Sequence, residues 1–330
     1  MTTSHIAAPG LGRRGFAATL AALTTTTTAR AESFPGRPLR LVMPYGPGSE
    51  PDTVGRLLAQ GMGAALGQPV VVENRNGGSS MIGAEAVANA KPDGYTLLFG
   101  GSTVFAANPH LFRNIRYSFE QFQPITLLMR GRIVLYTHAA RGYTGVQDLV
   151  ARIRAAPGRF RFGSAGHGNG THLSAEQFRA QAGLDVSDIS YTNSSGMQQA
   201  LLRDDVDFVF DGVGAYLPLV QEGRLRPLGI AGPNRIAVLP NLPTFAEQGF
   251  PELGMPYWYG LYAPAGLPPA VLARLHEAAL RGAADPTLLA RAEQQGATVE
   301  TLDVERFTAM NRSEHAAWGQ LIRALNIRLD

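Results

Sequence analysis

Three loops carry the residues best placed to hold a small charged molecule. "GPGSEPD" (46–52) separates an apolar run from a helical pattern, and "GSAGHGNGTH" (163–172) does the same further on. "TNSSGM" (192–197) leads into another helix, with Ser194 or Ser195 available as a cap. Glycine lets a ligand approach the backbone closely. A helix N-terminus adds unpaired N–H groups and partial positive charge, worth roughly 0.3–1 kcal/mol to an exposed anion and up to ~2 kcal/mol when partly buried. Two such loops on two halves of a molecule could clamp a small acid from both sides. The same loops can also serve only as helix caps.

Other chemistries find less support. His167 and His172 lie five apart, not at the i, i+4 spacing that sets two histidines on one helix face for zinc, so no metal is expected. "GHGNG" is not a dinucleotide fingerprint and no P-loop occurs, so no cofactor is expected. Ser164, His167 and an aspartate would make a hydrolase triad, but the G-x-S-x-G elbow is missing and no catalytic set can be assembled. An exported hydrolase on a similar frame remains the alternative from a different class. "YWYG" (257–260) reads as core or lobe packing rather than a stacking platform.

The elements that must position these loops follow an α/β pattern. "PLRLVMPY" (38–45), "PVVVEN" (69–74) and "YTLLFG" (95–100) read as strands. They alternate with a helix after Pro51, whose apolar face is Val54, Leu57, Leu58, Met62, Ala65 and Leu66, and with a helix over 83–90. This spacing predicts a parallel sheet with right-handed crossovers. A second unit follows: helices over 146–156, 171–183 and 196–205, strands over 160–165, 188–192, 206–210 and 225–231. The last third is helical over 268–284 and 304–325. In open parallel sheets ligands bind beyond the carboxyl ends of the strands, where all three loops fall.

Composition narrows the classes further. The chain has 330 residues, 45% hydrophobic and 17% charged, enough for about two domains with sizeable cores. Without cysteine there are no disulfides, thiolate metal sites, cysteine nucleophiles or lipidated cysteine. No uncharged apolar run approaches the roughly 18–20 residues that span a bilayer. The formal charge of +3 includes Arg13, Arg14 and Arg30 of a leader with no acidic residue; without those three the chain is neutral. The remaining arginines are scattered, so no nucleic-acid footprint exists. "GRRGFAATLAAL" (12–23) followed by Ala29 and Ala31 predicts an export signal over 1–31, either twin-arginine or general, cut after Ala31.

Taken in order, "RLVMPYGPGSEPD", "GQPVVVENRNGG", "IGAEAVANAKPDGYTLLFG", "NPHLF" (108–112), "FGSAGHGNGTHL" (162–173), "LPTFAEQGFPEL" (242–253) and "YGLYAPAGLPP" (259–269) resemble the Bug-type extracytoplasmic solute receptors of tripartite tricarboxylate transporters. The resemblance runs from Phe34 nearly to the end. It implies an α/β two-lobed periplasmic binding protein, type II-like, with two crossovers near 129–138 and 228–234 and a ligand cleft between lobes. Lobe 1 would hold 32–130 plus 233–330, and lobe 2 would hold 131–232. It implies a periplasmic monomer that binds a small-molecule solute, often a carboxylate, and docks on a small and a large integral membrane subunit. A sensor role toward a signalling partner is a further alternative. Carried over by motif, the ligand-binding positions are Tyr45, Gly48, Ser49, Glu50, Ser102 and Thr103 on one lobe. On the other they are Ser164, Ala165, Gly166, His167, Asn193 and Asp211.

The chain departs from the family pattern at Ser49-Glu50-Pro51, Ser80-Met81 and Thr192-Asn193-Ser194. Glu50 is the sharpest departure. A carboxylate buried beside a ligand carboxylate would be costly through like-charge repulsion and desolvation. It could turn outward and favour the helix terminus, receive a cationic or amino group, or be protonated or water-bridged. The expectation is a zwitterionic, amide-like or neutral ligand rather than a tricarboxylate.

Overall fold

Short apolar runs, each cut off by a glycine or proline turn, become the strands of two sheets. The computed structural model describes residues 1–5 and 34–329, of which 1–5 are exposed coil. Beyond residue 5, the expected export signal lies outside the described residues. In chain order come β1 (Leu39–Met43), α1 (Glu50–Leu66), β2 (Val70–Asn74), α2 (Met81–Ala88), β3 (Thr96–Gly101), a π-helical turn over Thr103–Ala107, α3 (Asn108–Leu111) and β4 (Phe122–Gly131). Next are β5 (Val134–His138), α4 (Val146–Ala155), β6 (Phe160–Ser164), α5 (Gly170–Ala182), β7 (Val186–Ser190), α6 (Ser194–Leu202), β8 (Phe208–Asp211), α7 (Leu217–Gln221) and β9 (Leu225–Ile230). β10 (Tyr257–Pro264), α8 (Pro269–Ala283), α9 (Pro286–Gln294), β11 (Thr298–Val299) and α10 (Val304–Ala324) complete the chain.

The first sheet has the order β11-β4-β10-β3-β1-β2 and the second β7-β6-β8-β5-β9. Each therefore repeats one plan: a second, first and third parallel strand, then an antiparallel strand brought in by a crossover. β1 pairs in parallel with β2 and β3, and β6 with β7 and β8. β10 runs antiparallel to β3 and β4, and β5 antiparallel to β8 and β9. The sheets are thus mixed rather than parallel throughout, because a chain that crosses between lobes enters the next sheet from the opposite end. The architecture is α/β and two-lobed.

The outward crossover falls between Gly131 and Val134. The return differs from the expected 228–234. Leu242 packs in one core of the second lobe, Phe245 and Leu253 in the other, and Phe245 N–H donates to Ile230 O. The chain thus stays on the second lobe until just before β10. Apolar anchors at 242–253 hold it there.

α1 shows how local sequence becomes packing. Val54, Leu58, Ala59, Met62 and Leu66 recur at helical spacing and are buried against the first sheet and α8. The two helices cross where glycine faces glycine: a Cβ on Gly61 would lie 2.6 Å from Gly282 Cα. A wider side chain must push the helices apart. We expect Gly61→Val to destabilise the protein by about 1–3 kcal/mol in urea unfolding. An unchanged midpoint would show that the crossing does not bear on stability.

Candidate functional site

Loop 44–49 is shaped by a buried carboxylate two residues past its tip. Asp52 is 3% exposed. Its oxygens accept from Gly48 N–H (2.9 Å), Arg56 Nε (3.0 Å) and Asn74 Nδ2 (2.7 Å). Burial pushes the Asp52 pKa up, but these hydrogen bonds outweigh it and hold the group below the usual carboxylate range. Asn74 Nδ2 also donates to Tyr45 O, so the end of β2 fixes the loop that follows β1. Ser49 is the N-cap by position, yet its hydroxyl donates to Gly46 O instead. The Ser49 N–H is likewise turned to Gly46 O. Gly48 is exposed and borders an open groove of about 550 Å³ between α1 and α9, outside the cleft.

The loop after β6 is built in the same way. Asn169 caps α5, accepting from Thr171 N–H and His172 N–H, and its amide donates to Ala165 O. Thr171 Oγ1 accepts from Ala165 N–H at 2.9 Å. Gly166 and His167 keep N–H groups with no intramolecular partner among the described residues. Ser164 is fully buried and its hydroxyl has no hydrogen-bond partner. Asn193 caps α6 through Gly196 N–H at 2.9 Å and is otherwise exposed. Ser102 is buried and Thr103 half-buried where β3 passes into the π-helical turn, a distortion common at functional sites.

His167 and His172 meet in space despite their spacing. With Asp188 of β7 they bring three ligand-type atoms within 4.8 Å of one another. His167 Nδ1 lies 3.2 Å from Asp188 Oδ2 and His172 Nε2 3.8 Å from it. Gly168 N–H donates to His172 Nδ1, which puts the proton of the neutral ring on Nε2, the nitrogen facing Asp188. A protonated nitrogen is no metal ligand, so this cluster is a poor cation site. Neither ring makes a hydrogen bond of good geometry to Asp188, whose two oxygens are buried without a partner.

Glu50 and Asp211 close the cleft from opposite lobes. Glu50 opens α1, and its two oxygens lie 2.9 and 3.0 Å from the Tyr257 hydroxyl, which donates to them. The Glu50 carboxylate therefore does not turn out to solvent. Tyr257 begins β10, and its ring lies across Gly131 at the end of β4, where a Cβ would fall 1.9 Å from the ring. Asp211 ends β8; its Oδ1 accepts Gly212 N–H at 2.8 Å, and Oδ2 is buried without a partner. A Cβ on Gly212 would lie 3.0 Å from Tyr257 Oη and 3.5 Å from Glu50 Oε2, so the lobes touch here. They touch again at Gly168, where a Cβ would meet Leu111 and Leu329.

Tyr257 was not among the residues singled out by sequence. Its signal was the alternation in "YWYG": Tyr257 and Tyr259 share one face at 5.7 Å, while Trp258 is buried on the other. Tyr45 stacks edge-on against Tyr259 at 5.3 Å, and its buried hydroxyl has no partner.

Burial pushes the Glu50 carboxyl up to about 7, with the Tyr257 hydrogen bond opposing, Asp211 adding and Arg291 opposing weakly. Burial pushes Asp211 up to about 6 against the Gly212 N–H and the nearby Ser194 and Tyr216 hydroxyls. A carboxyl whose folded pKa exceeds its unfolded value of roughly 4 contributes stability below that value and loses it as pH rises through the folded pKa. We expect Glu50→Gln to be more stable than the parent at pH 8 by about 1–3 kcal/mol, and the gap to vanish near pH 4. Thermal unfolding of both proteins across this range is the check; a gap that ignores pH would show that Glu50 is not buried as a carboxylate.

The family described as "Tripartite tricarboxylate transporter family receptor" matches residues 54–327. A UPF0065 protein of Bordetella pertussis (strain Tohama I) is 32% identical over 272 residues, covering 82% of this chain and 84% of the relative. The solved periplasmic binding protein BugD superposes with a TM-score of 0.80 at 28% identity, covering 90% of this chain and all of that one. A protein of R. palustris solved with adipate superposes with a TM-score of 0.82 at 28% identity, with the same coverage. The chain belongs to the receptors of the tripartite tricarboxylate transporter family, as a Bug-type solute-binding protein rather than an enzyme.

Proposed function

We propose that this protein is a periplasmic receptor that encloses one small organic solute between its lobes and delivers it, as a monomer, to the small and large integral membrane subunits of a tripartite transporter. The observation that carries this reading is the convergence of unpaired polar groups from both lobes on one cleft. Tyr45 Oη comes from the first lobe and Asp211 Oδ2 and Ser164 Oγ from the second, and the Glu50 carboxylate of the first lobe, which accepts from Tyr257, lies beside them. Buried polar atoms without partners cost about 1–3 kcal/mol each unless something fills the space between them. The family supplies the receptor role and the membrane partners. No helix among the described residues is long and apolar enough to cross a membrane.

A receptor binds without conversion. A bound solute at a hundredfold excess over Kd raises stability by about 2.7 kcal/mol and is recovered unchanged. In Gly212→Val the branched side chain would wedge between Tyr257 and Glu50. We expect this variant to lose affinity by about tenfold or more, with the solute-free melting temperature nearly unchanged. Turnover of the solute, or full affinity in Gly212→Val, would remove the proposal.

A further inference from the structure

Between the lobes, two carboxyls meet with no cation beside them among the described residues. Both Glu50 oxygens share the single Tyr257 proton. Asp211 Oδ1 has the Gly212 N–H, and Oδ2 is buried with no hydrogen bond of good geometry, the Ser194 and Tyr216 hydroxyls lying nearby. Tyr216 is fully buried beside Asp211, and its hydroxyl has no hydrogen-bond partner of good geometry. Its ring is held by stacking on Tyr136 at 4.4 Å, and Tyr136 Oη is spent on Gly212 O. No basic side chain among the described residues lies within ion-pair distance of either carboxylate. The basic group that acts on Glu50 is Arg291, exposed on α9 and facing the outer groove.

This arrangement selects a ligand by charge. A dicarboxylate seated here would add negative charge to a low-dielectric space that already holds two carboxyls and no compensating cation. A protonated amine does the reverse: its three N–H donors match the unfilled acceptors, and its charge suits both acids. We propose that the solute of this receptor carries a protonated amine, gripped between Glu50 of one lobe and Asp211 of the other, with the Tyr216 hydroxyl beside it. The inference rests on the receptor reading above and names its substrate class.

The same geometry couples amine binding to closure. The two carboxylates belong to different lobes, so in the empty protein their repulsion works against bringing the lobes together. A cation between them turns that repulsion into two attractions. It therefore binds the closed state better than the open one, which is what a ligand must do to shift such an equilibrium. An amine-free acid of the same shape lacks this differential.

The test uses the mature full-length protein. Gently purified protein is examined by native mass spectrometry for a retained solute. Calorimetric titrations then compare matched pairs that differ by one amino group: glutamate with glutarate, aspartate with succinate, 6-aminohexanoate with hexanoate. We expect the tightest binder to bear an amine and to exceed its amine-free counterpart by about tenfold or more. Glu50→Gln and Asp211→Asn should each erase most of that preference, with solute-free melting temperatures at or above the parent's as evidence of folding. If amine-free acids bind tightest, or both variants keep the amine preference, the inference falls and the receptor reading stands. If no retained solute is found and neither series binds, the receptor reading falls, and the inference with it.

Discussion

Two carboxyl groups, one from each lobe, face a common cleft that supplies no ion-pairing partner among the described residues. Electrostatics makes this the governing constraint of the molecule. The half-buried Glu50 carboxyl is held by the Tyr257 hydroxyl, and the half-buried Asp211 by the Gly212 N–H. Both donors depend on the crossovers. Tyr257 reaches Glu50 only because its ring lies on Gly131 at the outward crossover, and Gly212 comes close only because it carries no Cβ to strike Tyr257. The crossovers and the proposed binding site therefore share residues. A rotation of one lobe against the other cannot occur without changing the surroundings of both acids.

The loops that border the cleft are held from behind by side chains that do not face it. Asp52 and Asn74 shape the loop after β1; Asn169 and Thr171 shape the loop after β6. In each case an Asp or Asn near a helix start draws in its own loop's N–H groups, as capping residues do. The result is selective. Gly48, Ser49 and Ala165 have their N–H groups consumed internally, whereas Gly166 and His167 do not. A glycine-rich loop thus offers fewer donors than its composition suggests, and those left are the ones its own caps cannot reach.

Much of this was legible beforehand in particular residues. The strand, turn and helix around "MPYGPGSEPD" follow from apolar run, glycine-proline break and Pro51, and the structure forms β1 and α1 there. The motif order identified the family. The strand expected over 188–192 forms two residues earlier, at Val186–Ser190, because the exposed edge of the second sheet gives a weak pattern. β4, β5 and α9 were not anticipated. The run through 122–138 is broken only at Arg130-Gly131-Arg132, and nothing local says that this break separates two sheets rather than two strands of one hairpin. His167 and His172 were discounted on helical spacing, yet a loop brings them together with Asp188 of a neighbouring strand.

What the sequence determined alone is local or compositional: alternation of strand and helix, helix starts, the absence of thiol chemistry, and an acid placed in a glycine-rich loop. Those properties depend on neighbours a few positions apart, whose steric and hydrogen-bonding preferences act within one turn or one strand. Tertiary structure decided which way Glu50 points, that Tyr257 stands over it, and that Asp211 faces it from the other lobe. These depend on contacts between residues separated by up to 207 positions. Only the packing of two sheets around two crossovers sets such distances, and charge in a low-dielectric cleft responds to distance and burial rather than to order along the chain.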